Sequence, residues 1–80
     1  MRLPRDVGGR ELIRKLERMG YVVTRQTGSH VRLTCSLPTQ GHITVPVHDA
    51  LRIGTLAKII DDVAAQQMMV REALIEKLFQ

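Results

Sequence analysis

Three histidines and one cysteine are the side chains of this 80-residue sequence best suited to chemistry near neutral pH. His30, His42 and His48 lack the paired ligand spacing of a structural zinc site, so the sequence predicts no bound metal and no small-molecule cofactor. Asp61 and Asp62 are neighbours in a predicted helix, where adjacent side chains point apart, so they do not converge on a divalent cation. Acid–base catalysis by histidine, without a metal, is the chemistry that these residues still allow.

RNA permits such chemistry, because its 2′-hydroxyl attacks the adjacent phosphate once a base removes its proton and an acid protonates the leaving 5′-oxygen. His30 is the first candidate, since it opens a predicted strand on the polar side; a merely exposed histidine is the alternative. Gly28 supplies backbone freedom in the preceding turn, and Ser29 either stabilises that turn or contacts a phosphate. His48 beside Asp49 is a further candidate for the second proton transfer, with a structural role as the alternative.

Basic side chains outnumber acidic ones, with 12 Lys and Arg against 8 Asp and Glu and a formal net charge of +4. This balance favours a polyanionic partner, although solubility alone also explains it. With one Tyr, one Phe and no Trp, the chain has little aromatic surface for stacking bases, so RNA binding would depend on charge. The predicted RNA-binding residues are Gly28, Ser29, Arg10, Arg14, Lys15, Arg25 and Arg32.

Residues 10–19 predict an amphipathic helix, because apolar residues recur there at helical spacing and Gly20 follows as a left-handed C-cap. The opposite side carries a stripe of three arginines flanked by Lys15: Arg10, Arg14 and Arg18. A solvated helix face is the alternative to an RNA contact for this stripe.

Three antiparallel strands are predicted next, at residues 21–26, 30–35 and 42–47. In the second strand His30, Arg32 and Thr34 alternate with apolar residues, which indicates a half-buried strand with a polar face. Pro46 cannot donate a ladder hydrogen bond, so the third strand is expected either to lie at an edge or to end at this residue. Cys35 is interpreted as a small core residue, and a lone thiol fits a reducing cytoplasm.

A second helix is expected after a connector at residues 51–54, with Thr55 as its N-cap. Residues 64–80 are also predicted to be helical, either continuously or after a bend, with these residues on the apolar face: Met69, Val70, Ala73, Leu74 and Leu78. The order helix, three strands, helix predicts an α+β fold with both helices on one face of the sheet and the polar face open. The whole chain, 1–80, is interpreted as one domain with a core at about 3–63 and a helical extension at 64–80.

The segment Arg25-Gln26-Thr27-Gly28-Ser29-His30 resembles the Arg-Gln-x-Gly-Ser-His segment of HicA-like toxins, also called the YcfA-like family. Further matches stand in the same order between residues 3 and 63: Leu3-Pro4-Arg5-Asp6, Gly9-Arg10-Glu11-Leu12-Ile13, Leu16-Glu17, Gly20-Tyr21, Thr44-Val45-Pro46-Val47-His48 and Gly54-Thr55-Leu56. The sequence departs from the family pattern in three places. Ile53 replaces a usual proline, Val31 replaces a second histidine, and residues 64–80 extend beyond the common core.

This resemblance implies a fold like that of double-stranded RNA-binding domains. It also implies the toxin of a type II toxin–antitoxin system, an endoribonuclease that cleaves mRNA and whose essential histidine matches His30. The implied protein partner is a HicB-like antitoxin that blocks the active face.

Two other classes of function stay open from the residues alone. One is a module that binds double-stranded RNA without cutting it, and the other is an adaptor that docks through its apolar C-terminal helix. The first residues lack an apolar signal region, and no stretch reaches the roughly 18 apolar residues of a membrane span. The chain is therefore expected in the cytoplasm, without a membrane partner.

Overall fold

The computed structural model describes residues 3–80 and confirms the predicted α+β fold. The elements, in chain order, are α1 (Gly9–Arg18), β1 (Val22–Thr27), β2 (His30–Cys35), β3 (Gly41–Pro46), α2 (Ile53–Gln67) and α3 (Arg71–Phe79). Met1 and Arg2 lie outside the described residues. They are the first residues of the predicted domain and of the segment that is predicted to lack an apolar signal region. Gly20 follows α1 with a φ of 106°, so the expected glycine stop of the first helix is confirmed.

The three strands form one antiparallel sheet in the order β1-β2-β3, with β2 in the centre and β3 at an edge as predicted. His30 pairs with Thr27 on one side and Pro46 on the other, so these three residues share a row across the sheet. A β-bulge between Val23 and Arg25 shifts the register of β1 by one residue.

Both main helices cover the same face of the sheet, as expected. Alternate residues of β2 and β3 are buried there, whereas His30, Arg32, His42 and Thr44 are exposed on the other face. The core combines residues of the sheet, α1, α2 and α3, and among its fully covered members are Leu12, Leu16, Leu33, Val45, Leu56, Ile60, Val63 and Leu74. Cys35 is buried and free, which confirms its interpretation as a core residue.

The start of α2 differs from the prediction. Thr55 is not the N-cap, because the helix already begins at Ile53 and Arg52 precedes it in extended conformation. The amide of Leu56 donates the first helical hydrogen bond to the Arg52 carbonyl. Ile53 is thus the first helical residue, where proline is favoured because no intrahelical N–H bond is lost. The replacement of the family's proline by Ile53 therefore removes no hydrogen bond from the helix.

The C-terminal segment bends rather than continuing α2. Met68 takes the left-handed conformation with a φ of 55°, and the chain then starts α3 after Val70. The predicted apolar face is partly wrong, since Val70 and Ala73 are exposed. The side chains of α3 that reach the core are Leu74, Ile75 and Leu78. Within residues 3–80, no helix combines the length and the apolar character needed to cross a membrane.

Tyr21 ties the start of β1 to the end of α2. Its side chain is buried, and its hydroxyl donates a hydrogen bond to Gln66 Oε1 at 2.7 Å. Burial raises the pKa of this phenol above its ordinary value, because the charged phenolate is poorly solvated there.

We expect the free energy of unfolding to decrease in strongly alkaline solution. An unfolded tyrosine titrates at about pH 10, so the contribution of Tyr21 is fully present below that pH and is lost as the pH rises beyond it. Urea unfolding at increasing pH should show a smaller decrease for Tyr21→Phe. Because the chain has one Tyr and no Trp, tyrosinate absorbance reports this group alone. If Tyr21 ionised in the folded protein at the same pH as an unfolded tyrosine, the expectation would be contradicted.

Candidate active site

His30 stands at the end of the β1–β2 hairpin, directly after a two-residue turn formed by Gly28 and Ser29. Gly28 has a φ of 57°, a conformation that costs glycine little, so the predicted need for backbone freedom at this position is met. His30 is exposed on the open face of the sheet. An imidazole in this position is accessible to a large substrate such as a nucleic acid chain.

The loop after β3 lies against this turn. The amide of Val47 donates to the Ser29 carbonyl at 2.6 Å, which continues the β2–β3 pairing one residue beyond β3. The amide of Gly9 donates to the His48 carbonyl at 2.9 Å. The hairpin turn, the start of α1 and the loop that carries His48 therefore meet at one end of the sheet.

Close backbone packing holds this junction together. A Cβ added at Gly9 would overlap the Pro46 carbonyl oxygen, and one added at Gly8 would lie 2.9 Å from the Asp49 carbonyl oxygen. A second backbone hydrogen bond, from Leu51 N–H to the Val7 carbonyl at 2.7 Å, closes the far end of the loop. Glycine at positions 8 and 9 is what allows α1 to approach the loop so closely.

Two of the predicted RNA-binding arginines lie along a groove between α1 and β1. Arg10 and Arg14 line it together with Gln26 and the apolar side chains of Ile13, Val23 and Val31. Arg10 also borders the shallow depression beside His48 and Asp49. Arg10 therefore lies nearest the junction, and Arg14 lies one helical turn further along α1.

Two other predicted arginines lie on the open face. Arg25 and Arg32 are direct register partners on β1 and β2, and both are exposed. Like charges directly opposite each other in a sheet are unfavourable unless an anion lies between them. The ion pairs found in residues 3–80 involve Lys58 with Asp62 and Arg71 with Asp61, so Arg25 and Arg32 are available to a phosphate.

Lys15 lies beside Arg14 and Arg18, and these side chains border one small depression on α1 together with Glu11. The Lys15 ammonium lies 5.6 Å from the centre of the Phe79 ring at the end of α3, a distance typical of a cation–π contact. Arg18 also borders a second small depression, together with Lys15 and Lys77. The predicted stripe on α1 is therefore continuous: Arg10 lies near the junction, and Lys15 and Arg18, which lie near α3, share a depression with Arg14.

The residue after His30 explains one departure from the family. Val31 is buried on the inner face of the sheet and packs in the core. A valine in place of the family's second histidine therefore adds apolar surface to the core and removes no group from the open face.

A chain of hydrogen bonds at the other end of the open face was not predicted. Thr34 Oγ1 lies 2.9 Å from His42 Nδ1 and 3.0 Å from Thr24 Oγ1. Alternation placed Thr34 and His42 on the polar face, but the bulge that turns Thr24 toward them leaves no signal in the sequence. Since Thr34 follows His30 by four residues, these hydrogen bonds lie about 13 Å along the strand from His30. His42 is therefore not part of the site around His30.

No group of three or more His, Cys, Asp or Glu side chains in the described part of the chain, residues 3–80, is arranged to hold a metal ion. A surface cavity of about 490 Å³ lies between β3 and α2 and is lined by His42, Thr44, Lys58 and Asp62 among others. It is therefore separate from the junction that carries His30 and His48.

The chain matches a known protein family. The sequence model of the family described as the HicA toxin of bacterial toxin–antitoxin systems matches residues 9–65. No curated protein and no solved structure gives a significant match. The matched range runs from the first residue of α1 to the last turns of α2, so it contains the hairpin turn, His30 and the loop with His48.

Proposed function

The chain belongs to the HicA toxin family of bacterial toxin–antitoxin systems, and from this we propose that it is an endoribonuclease that cleaves mRNA without a metal and so halts growth. The observation that carries the proposal is the position of His30, exposed at the end of the hairpin beside Arg25 and Arg32, which form no ion pair within residues 3–80. The proposed site of action is the cytoplasm, where mRNA is found. The proposed protein partner is a HicB-like antitoxin that covers the face carrying His30.

In the proposed reaction His30 transfers a proton at the scissile phosphate. Imidazole exchanges protons near neutral pH, which suits it to act on the 2′-hydroxyl or on the leaving 5′-oxygen. Arg32 follows His30 by two residues on the same face of β2, and Arg25 lies opposite it. Their guanidinium groups would bind the phosphate and stabilise its developing charge.

The remaining predicted binding residues extend the surface around the turn. Gly28 lets the turn present Ser29 and His30, and the Ser29 hydroxyl is available to a phosphate oxygen. Arg10 and Arg14 would bind the RNA backbone where it leaves the open face and passes along α1. Lys15 lies beside Arg14, with its ammonium 5.6 Å from the centre of the Phe79 ring, and would add to the positive potential of this surface.

The decisive experiment is analysis of the products of RNA cleavage. Attack by the neighbouring 2′-oxygen yields a 2′,3′-cyclic phosphate, which can open to a 3′-phosphate, and a 5′-hydroxyl. We expect these ends in the products, and we expect cleavage by purified protein to persist in EDTA. A metal-dependent nuclease would instead lose activity in EDTA, regain it with magnesium and leave 5′-phosphates.

A module that binds double-stranded RNA without cutting it is the second candidate. It is favoured by the division of the basic residues between the open face and the α1 groove, which suits a partner that contacts two sides of the sheet. The same experiment decides between the two functions. Tight binding of duplex RNA with no cleavage of any RNA would favour the module.

RNA affinity should depend strongly on salt. If Arg10, Arg14, Arg25 and Arg32 neutralise about four phosphates of a single strand, the logarithm of the binding constant should fall with the logarithm of salt with a slope of about −3, at ~0.7 per contact. Replacing both Arg25 and Arg32 by glutamine should reduce that slope by about 1.4, because two contacts are lost.

The matched control for this prediction is Arg71→Gln. Arg71 is as basic as the others but pairs with Asp61 at the start of α3, so its loss should leave the slope unchanged. Measured by fluorescence anisotropy over a range of salt concentrations, equal slopes for the double variant and the wild type would contradict the assignment.

A further inference from the structure

We infer that His48 is the second proton-transfer group of the cleavage reaction, acting with His30 on opposite sides of one phosphodiester. The inference rests on the proposed function and deepens it by completing the acid–base pair. It is carried by the position of His48, by the hydrogen bonds that hold its backbone, and by the distance of His42, the third histidine of the chain, from His30.

The pairing of the strands brings the loop that carries His48 close to the end of β2 at which His30 lies. His30 is the register partner of Pro46, and the hydrogen bond from Val47 N–H to the Ser29 carbonyl carries the pairing one residue further. His48 therefore lies two residues after Pro46, the register partner of His30, in the segment that follows β3. His48 lies just beyond the end of β3; if the extended pairing holds there, such diagonal neighbours would lie about 7–8 Å apart, within reach of long side chains. Two imidazole rings at that separation can approach one phosphate from two sides.

The backbone of His48 is held on both sides. Its carbonyl accepts the hydrogen bond from Gly9 N–H, and the preceding residue is tied to the hairpin turn through Ser29. The side chain itself is exposed. A catalytic group held by rigid neighbours is already placed for the reaction, so little ordering is needed when the substrate binds.

The charged groups that face His48 are Arg10 from α1 and Asp49 from its own loop. Arg10 can bind the phosphate beside which His48 would act, and Asp49 can favour one orientation of the imidazole. His42 offers no such arrangement, because its Nδ1 is bonded to Thr34 and it lies at the far end of the open face.

One imidazole takes the proton of the 2′-hydroxyl while the 2′-oxygen forms a bond to phosphorus. The bond from phosphorus to the 5′-oxygen breaks, its electron pair goes to that oxygen, and the other imidazole gives the oxygen a proton. The products are a 2′,3′-cyclic phosphate and a 5′-hydroxyl, with one histidine protonated and the other neutral, ready to exchange protons with water.

The test compares an ordinary RNA with the same RNA carrying a bridging 5′-sulfur at the cleaved bond, since a thiolate leaves without protonation. We expect His48→Ala to cleave the ordinary bond about 10²–10⁴-fold more slowly than the wild type. We expect the sulfur substrate to restore near wild-type rates to only one of His48→Ala and His30→Ala, which identifies that residue as the acid. The wild-type pH–rate profile should be bell-shaped, and His48→Ala should lose one limb of it.

Alanine keeps both backbone hydrogen bonds of residue 48, and His48→Gln tests a second side chain at the same position. His42→Ala is the matched control and should keep the wild-type rate and pH profile. Wild-type rates for both His48 variants would overturn the inference, as would a uniform loss on both substrates with both limbs of the pH profile retained. A wild-type protein that cleaves neither substrate would overturn the proposed function itself, and the inference with it.

Discussion

His30→Ala is expected to lose RNA cleavage by about 10²–10⁴-fold or more while the protein remains folded. The loss follows from the chemistry, because general acid–base catalysis contributes a factor of that size and alanine cannot transfer a proton. The fold should be retained because His30 is exposed on the open face and fills no part of the core. A surface substitution of this kind changes the free energy of unfolding by about 0.5 kcal/mol at most.

The measurements are the single-turnover rate on purified RNA, the melting temperature and growth after induction in cells. The variant should relieve growth arrest and still bind a HicB-like antitoxin. His42→Ala is the matched control, since it is an exposed histidine on the same sheet face and at the far end of it. Cleavage by the His30 variant at near wild-type rate would remove His30 from the mechanism, and unfolding would show that its role is structural.

The sheet and its open face could be predicted from the sequence because the second and third strands are half-buried. In such strands the side-chain period of two separates core residues from exposed ones, and it placed Leu33 and Ile43 inside and His30 and Arg32 outside. The end of α1 could be predicted because glycine tolerates the positive φ found at Gly20.

The helix boundaries after β3 could not be predicted in the same way. Arg52 ends the connector without a side-chain cap, so nothing in its chemistry marks a helix start. Met68 adopts a positive φ, which is uncommon for a residue other than glycine, asparagine or aspartate. The break is compensated by the burial of Leu74, Ile75 and Leu78 against the core. Tertiary contacts decided this bend, and local sequence carries no signal for it.

The surroundings of the basic stripe also depend on tertiary packing. Arg10, Arg14 and Arg18 share one side of α1 in any helix, and Lys15 flanks them. Which of them reaches the junction depends on where α1 begins relative to the loop after β3 and on where α3 packs. The contact of Lys15 with Phe79 and the position of Arg10 beside His48 follow from that packing.

Gly9→Ala is expected to lower the free energy of unfolding by about 3 kcal/mol, near the upper limit for over-packing a dense site. The added methyl group would overlap the carbonyl oxygen of Pro46, which is backbone and cannot swing aside as a flexible side chain would. Relief requires α1 to move away from the loop, and that movement would stretch the hydrogen bond from Gly9 to His48. For a domain of this size about 4–12 kcal/mol of stability is typical, so the loss would be a large fraction of the total.

Gly54→Ala is the matched control, because both glycines lie in the first turn of a helix and nothing lies within 4 Å of a Cβ added at Gly54. Alanine in an open helical position stabilises by up to about 1 kcal/mol relative to glycine, so this variant should melt at or above the wild-type temperature. Urea unfolding measures both effects. If the two variants had equal stability, the close packing of α1 against the loop would not exist. The expected result is that Gly9→Ala loses stability. If its remaining folded fraction also cleaves RNA more slowly, then the position of α1 helps to hold His48 at the site as well as to stabilise the fold.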